Sequence, residues 1–181
     1  LRDNKCRYFR FLSCFTRDIS RGYQTDVGDT YSMRYSASFA YLAQAQRHRT
    51  LKYFMLFDGK STGKFYLPEI IADNEELSEM WLNDMRSVEH LIPQGMLMDI
   101  VECGEFYDFT LKCKERLCGR AQLEIMKVCS GQVKVMMEKM EEGDSDFSEY
   151  SKELLESLVV DGKVKLSSKS SKVENITLDV K

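Results

Sequence analysis

The sequence predicts an α/β domain of the α+β kind, and three observations predict it. An aromatic stretch near the start alternates large apolar and polar residues as a strand does, a second extended run falls at 96–101, and five helical patterns separated by turns lie around them. At 181 residues, 43% hydrophobic and with only two prolines, the chain is long enough to bury one core.

The elements follow in order. Arg7 to Ile19 sets Tyr8, Arg10 and Leu12 against Phe9, Phe11 and Ser13, the pattern of an aromatic-rich strand. Residues 20–30 carry two glycines and two aspartates and read as a loop. Ser36 is a good N-cap for a helix through Gln46, which delivers Arg47-His48-Arg49-Thr50 at its end. Residues 58–63 form a turn, and Lys64 to Pro68 is a short extended piece stopped by proline. Asp73 to Leu91 reads as a helix capped by Asp73 or Asn74, with Leu77, Met80, Trp81, Met85 and Val88 as its apolar positions. Pro93-Gln94-Gly95 breaks it, and Met96 to Val101 suggests a strand. Gly104-Glu105 restarts a helix with Phe106, Phe109, Cys113 and Leu117 as its stripe. A long helix from about Ala121 to Met140 presents Ile125, Cys129, Val133, Met136 and Met140 on one face, and a last amphipathic helix covers Ser148 to Val160. The Met-rich stripes read as core filling. Beyond Gly162 the chain turns polar and Ser/Lys-rich, so the expected organisation is a domain over 1–161 and a C-terminal extension over 162–181.

Composition narrows the function classes. A formal charge of −3 is too small to imply a polyanionic partner for the whole molecule, so an anion site must be a local cluster of Lys and Arg. No apolar run approaches the roughly 18 residues needed to span a bilayer, and no signal peptide opens the sequence. The chain begins at Leu1 rather than Met, so the expectation is a trimmed, partly disordered or excised piece of a longer polypeptide. Of the six cysteines none forms a C-x-x-C pair, and His48 and His90 are not spaced as their partners. No metal site is expected; reduced, buried thiols in a cytoplasmic protein are.

Two clusters could carry chemistry. In the first, Arg47 and Arg49 flank His48 at a helix end, where cations complement the negative end of the dipole. In the second, Lys112, Arg116 and Arg120 repeat at i, i+4 and i+8 beside the stripe of Phe109, Cys113 and Leu117, which would suit a phosphorylated ligand lying along a helix. Taken alone, the first reads better as a surface helix terminus with C-capping bases and the second as a solvated basic face.

Together they resemble the flavin-dependent thymidylate synthases. That family carries a helix ending in R-H-R with a glutamine three residues ahead, here Gln44 before Arg47-His48-Arg49. Its F-Y-x-P segment is matched by Phe65-Tyr66-Leu67-Pro68, its L-P turn by Leu91-Ile92-Pro93 with one extra residue, and its R-x-x-x-x-A-Q-x-E-I by Arg116 and Ala121 to Ile125. Order and most of the spacing agree over residues 36–140.

The resemblance implies a mixed sheet flanked by long helices, a homotetramer, and FAD as cofactor. In that family reduced flavin relays a methylene from methylenetetrahydrofolate to dUMP, giving dTMP with NADPH as reductant. Carried over, Arg47, His48 and Arg49 would hold FAD, with Arg120 touching flavin where the family has a histidine. Gln44 and Arg116 would bind the pyrimidine nucleotide, Arg116 polarising the ring as charge develops. The substrate clamp E-x-S-x-R is missing: Met55, Phe57 and Gly59 occupy its positions, and Glu89 replaces a further phosphate-binding arginine. The flavin-facing asparagines fall at Glu105 and Leu111. The expectation is therefore a flavin-retaining domain that is a poor thymidylate synthase on its own.

The alternative is a non-catalytic scaffold, or a nucleotide- or nucleic-acid-binding module. Arg7, Arg10, Arg17, Arg21 and Arg34, interleaved with aromatics such as Tyr8, Phe11 and Tyr35, would suit single-stranded nucleic acid, although the mildly acidic chain makes nucleic acid the less favoured partner. Ser32-Met33-Arg34-Tyr35 repeats the letters of the missing clamp ahead of R-H-R, as a chance match or a relocated one.

Overall fold

The computed structural model describes residues 9–15, 30–142, 147–165 and 177–178, with side chains described over 30–142 and 147–165. The chain is α+β. Strands β1 (Phe9–Phe15), β2 (Thr30–Ser38), β3 (Lys52–Leu56) and β4 (Leu97–Glu105) form one sheet in the order β1-β2-β4-β3. Every pairing in it is antiparallel, where the resemblance implied a mixed sheet. The reason lies in the order: β2 and β3 run the same way, but β4 sits between them and opposes both. The helices are α1 (Phe39–Ala45), α2 (Glu69–Ala72), α3 (Glu75–Ser87), α4 (Phe106–Arg116), α5 (Leu123–Glu141) and α6 (Glu149–Glu156), with a 3-10 turn at Glu89–Leu91.

One face of the sheet carries the core. Tyr31, Met33, Tyr35 and Ala37 alternate on β2, Met98, Ile100 and Glu102 on β4, and all are buried. The helix stripes read from the sequence meet them: Phe106, Phe109, Cys113 and Leu117 on α4, and Ile125, Cys129, Val133 and Met136 on α5, are buried in one cluster. A satellite cluster of Phe65, Met85 and Met96 attaches α3 at the side.

Several boundaries differ from expectation. The helix expected from Ser36 begins at Phe39 with Ser38 as N-cap, because Ser36 to Ser38 still pair with Leu97 to Asp99 of β4. Likewise β4 runs on through Gly104 and Glu105, which pair with Tyr31 and Thr30 instead of opening α4. Lys52–Leu56 forms an edge strand that local pattern did not mark. In α3 only Ser78 and Met85 are buried, while Leu77, Met80 and Val88 are exposed. The last helix stops at Glu156, and Val159–Val160 (β5) turns back on Lys163–Lys165 (β6), which pairs with Thr177–Leu178 (β7). The domain end expected at residue 161 thus falls in a hairpin turn, with Val164 beyond it buried in the core.

Among the described residues no helix is long and apolar enough to cross a membrane. None of their His, Cys, Asp and Glu side chains gather in a group able to hold a metal ion. Cys113, Cys118 and Cys129 are buried free thiols, and Cys103 is half-buried.

Candidate functional site

Helix α1 is held at both ends, and that fixes where R-H-R lies. At its start the buried Glu124 carboxylate accepts from the Ser38 amide (3.1 Å) and hydroxyl (2.6 Å), while the Ser38 hydroxyl oxygen accepts from the Tyr41 amide (3.0 Å). Glu124 belongs to A-Q-x-E-I, so that motif caps α1 through Ser38. At the other end Leu51 lies flat on β4 at Gly104, where any Cβ would collide with its Cδ2. The Leu51 amide closes the turn on the His48 carbonyl (3.2 Å).

The two sequence clusters meet across this turn. Arg116 donates from Nε to Nε2 of His48 at 3.0 Å, and Gln44 donates its amide to the Gln122 carbonyl oxygen. Accepting at Nε2 requires a neutral imidazole with its proton on Nδ1. Glu115 Oε2 stands 3.6 Å from the same nitrogen. Burial pushes the His48 pKa below its ordinary value, and the Arg116 cation adds to that against the opposing pull of Glu115. The arrangement is a half-buried, hydrogen-bonding floor with a fixed cation. Arg47, Arg49 and Arg120 stand exposed on the same two segments.

Beneath this floor lies a group of residues that sequence reasoning missed. Lys112 is fully buried, and its Nζ donates to Glu102 (2.6 Å) and Gln132 (2.8 Å). Tyr31 and Tyr35 donate to the two oxygens of Glu102 at 2.5 and 2.7 Å, and the Tyr35 and Tyr41 hydroxyls are 2.9 Å apart. Burial alone would push the Glu102 carboxyl up. The Lys112 charge and the three donated hydrogen bonds outweigh it and hold the group below its usual range. The same pairing holds Lys112 well above its usual value against burial, so both are ionised. The signal was present in the strand: Met98, Ile100 and Glu102 share one alternating face, and an acid in line with core residues demands a buried cation.

No protein-family profile matches the sequence, and no curated protein does. Among solved structures the chain is similar to thymidylate synthase X from Helicobacter pylori, crystallised with FAD and dUMP. The TM-score is 0.46 at 14% identity, over 58% of this chain and 66% of that one. The chain thus spans a little under two-thirds of that protein's length. A likeness of this size bears on neither ligand nor activity.

The expected basic row of Lys112, Arg116 and Arg120 does not exist as a row. Lys112 points into the core, Arg116 engages His48, and α4 ends there, leaving Arg120 in the exposed turn beyond. Phe57 and Gly59, at clamp positions, have structural roles or settings of their own. Phe57 packs edge-on against Phe39 (5.3 Å), and Gly59 takes a left-handed φ of 86°. Glu89 accepts from the Ser61 hydroxyl (3.2 Å). Arg34, of the segment that repeats the clamp letters, alternates with the core tyrosines, faces the opposite side of the sheet from α4, and pairs with Asp99. The Arg–aromatic stretch proposed for nucleic acid lies, except for Arg34, Tyr31 and Tyr35, outside the residues with described side chains. Tyr31 and Tyr35 are buried, which removes them as stacking platforms.

Proposed function

We propose that this chain is a flavin- and nucleotide-binding domain of the flavin-dependent thymidylate synthase type, with the phosphate clamp for dUMP missing. The observation that carries the reading is the Arg116–His48 hydrogen bond. The two residues, 68 positions apart in motifs matched to one family by letters and order, lie in hydrogen-bond contact, which supports reading them as one site. The residues fit an anionic dinucleotide: three exposed guanidiniums, on Arg47, Arg49 and Arg120, ride on backbone segments joined by the His48–Arg116 and Gln44–Gln122 contacts. Bound flavin would supply the redox and one-carbon chemistry. The chain's own part is to hold the phosphates with these arginines and to present Gln44 and Arg116 to a pyrimidine base.

The substrate half fits poorly. An apolar Phe57 and a glycine cannot replace a serine and an arginine on a phosphate, and Glu89 repels it. Two lost charge-assisted contacts at roughly 1.5–3 kcal/mol each weaken dUMP by about two to four orders of magnitude. Binding of FAD, followed by quenching of flavin fluorescence, tests the cofactor half. Arg47→Glu should abolish it, while Arg86→Glu, on the remote α3, should not. Turnover of dUMP with methylenetetrahydrofolate, NADPH and FAD tests the other half, with little or no dTMP expected. Failure of FAD to bind would overturn the assignment of Arg47, His48, Arg49 and Arg120; robust turnover would overturn the missing clamp.

A further inference from the structure

Helix α3 has one run of apolar positions in the sequence, and the structure divides it between two faces. Met85 and the partly covered Trp81 and Leu82 face the satellite cluster. Met80 is 56% exposed and Leu77 45%, and Val88 continues their line at the end of the helix. Ile70, on the adjoining α2, is 93% exposed, and Leu91 of the following turn is exposed too. The unit is well built and not a frayed loop: Asn74 caps α3 by accepting from the Leu77 amide (3.0 Å), Ser78 donates to the Ile71 carbonyl (2.8 Å), and Trp81 donates to the Tyr66 carbonyl (3.1 Å).

Charge says what would cover it. From Glu69 to Leu91 there are seven carboxylates, Glu69, Asp73, Glu75, Glu76, Glu79, Asp84 and Glu89, against the single Arg86. That is −6 on a chain whose total is −3; the Lys127–Glu69 ion pair (2.6 Å) offsets one of these charges and leaves −5, with none of Glu76, Glu79 and Asp84 in that pair. Glu75 and Glu76 are explained by the positive end of the helix dipole. Glu79 lies beyond that first turn, and Asp84 lies in the last turn, where a negative charge disfavours the helix, so local stability explains neither. A second copy meeting this surface about a two-fold axis would set like charge against like charge.

We propose that the outer face of α3, with α2 beside it, is a docking surface for a basic amphipathic segment of a partner protein. Its apolar side chains lie along Leu77, Met80 and Val88, and its cations meet Glu76, Glu79 and Asp84. The surface is independent of the His48–Arg116 site.

Trp81, the only tryptophan of the chain, sits at the edge of this surface and reports on it. The probe is a short synthetic Leu/Lys peptide with leucines at helical spacing, titrated against the intact chain with Trp81 emission as readout. The comparison arms are its Leu/Glu counterpart and an oligolysine of equal charge. Saturable binding of the Leu/Lys peptide is expected, with no response to Leu/Glu and at least about tenfold weaker binding of oligolysine. Leu77→Ser with Met80→Ser, both at exposed positions, should weaken the peptide about tenfold or more. Reversal at Glu76, Glu79 and Asp84 to Lys should remove binding. Equal affinity for oligolysine, undiminished binding in either variant, or no binding at all would each overturn the proposal. So would self-association by sedimentation that the Leu77/Met80 variant abolishes, since the surface would then cover a second copy.

Discussion

Lys112 and Arg116 lie one helical turn apart on α4, yet they occupy opposite electrostatic situations. Lys112 is sealed in the core with Glu102, both side chains fully buried, and its Nζ bonds Glu102 and Gln132 and stands 5.1 Å from the centroid of the Phe109 ring. Arg116 reaches the half-buried rim and donates from Nε to a neutral histidine. A buried cation without its anion has nowhere to put its charge, so the inner pair is structure. A rim cation is solvated either way, so its geometry is available to a ligand. Burial, rather than residue type or spacing, separates the two.

The sharpest way to break this comparison is Lys112→Met, which keeps volume and strands the Glu102 carboxylate. We expect a loss of about 3–5 kcal/mol in urea unfolding. Pairing it with Glu102→Gln should recover part of that loss, since no orphaned charge remains and the amide oxygen can still accept from a tyrosine hydroxyl. A single substitution costing less than about 1 kcal/mol would mean the pair is not desolvated as described.

Gly104→Ala probes the support under the site instead of its charges. The new methyl collides with Leu51, so overpacking should cost about 1–3 kcal/mol. Because Leu51 closes the His48 turn, the imidazole resonances should shift in the same variant. A neutral substitution with an unmoved His48 would show that Leu51 does not position the turn.

Arg116→Ala is expected to change stability by less than about 1 kcal/mol, since the residue is only half-buried. FAD or nucleotide affinity should fall about ten- to a hundredfold, measured by flavin quenching or calorimetry. An Arg116 variant that unfolds the protein would place it with Lys112 on the structural side.

What was legible in the sequence follows the same division. The stripes of α4 and α5 were readable because helical period alone predicts an apolar face, and these faces do meet the sheet. The same rule misled at α3: periodicity finds an apolar stripe but not what covers it, and here solvent covers half. Ser36–Ser38 looked helical from their neighbours, yet pairing with β4, a partner some 60 residues away, overrode propensity. The meeting of R-H-R with Arg116 was suggested by motif resemblance, not by any local pattern. The Lys112–Glu102 pair was hidden because each residue type is a surface residue by default; only the alternation of Met98, Ile100 and Glu102 marked it.

The smallest expected effect is the pH response of His48. Its pKa is lowered in the folded protein, by burial first and Arg116 second, from an ordinary value near 6.5. The unfolded chain therefore takes up a proton at higher pH than the folded one. By linkage, this contribution to stability is fully present above about pH 6.5 and is lost as pH falls from there toward the lower folded pKa. Protonation also removes the acceptor at Nε2, so Arg116 loses its partner while Glu115, 3.6 Å away, gains one. The groups facing the ring are Arg116 and Glu115 from α4, with Lys112 of α4 and Glu102 of β4 behind them. Ligand affinity should respond only at lower pH than stability does, where the folded imidazole itself takes up the proton and releases Arg116, and His48→Gln should flatten both profiles. An imidazole that titrates above 6.5 by proton NMR would reverse the sign, leaving Glu115 rather than Arg116 as the partner that sets the histidine's charge.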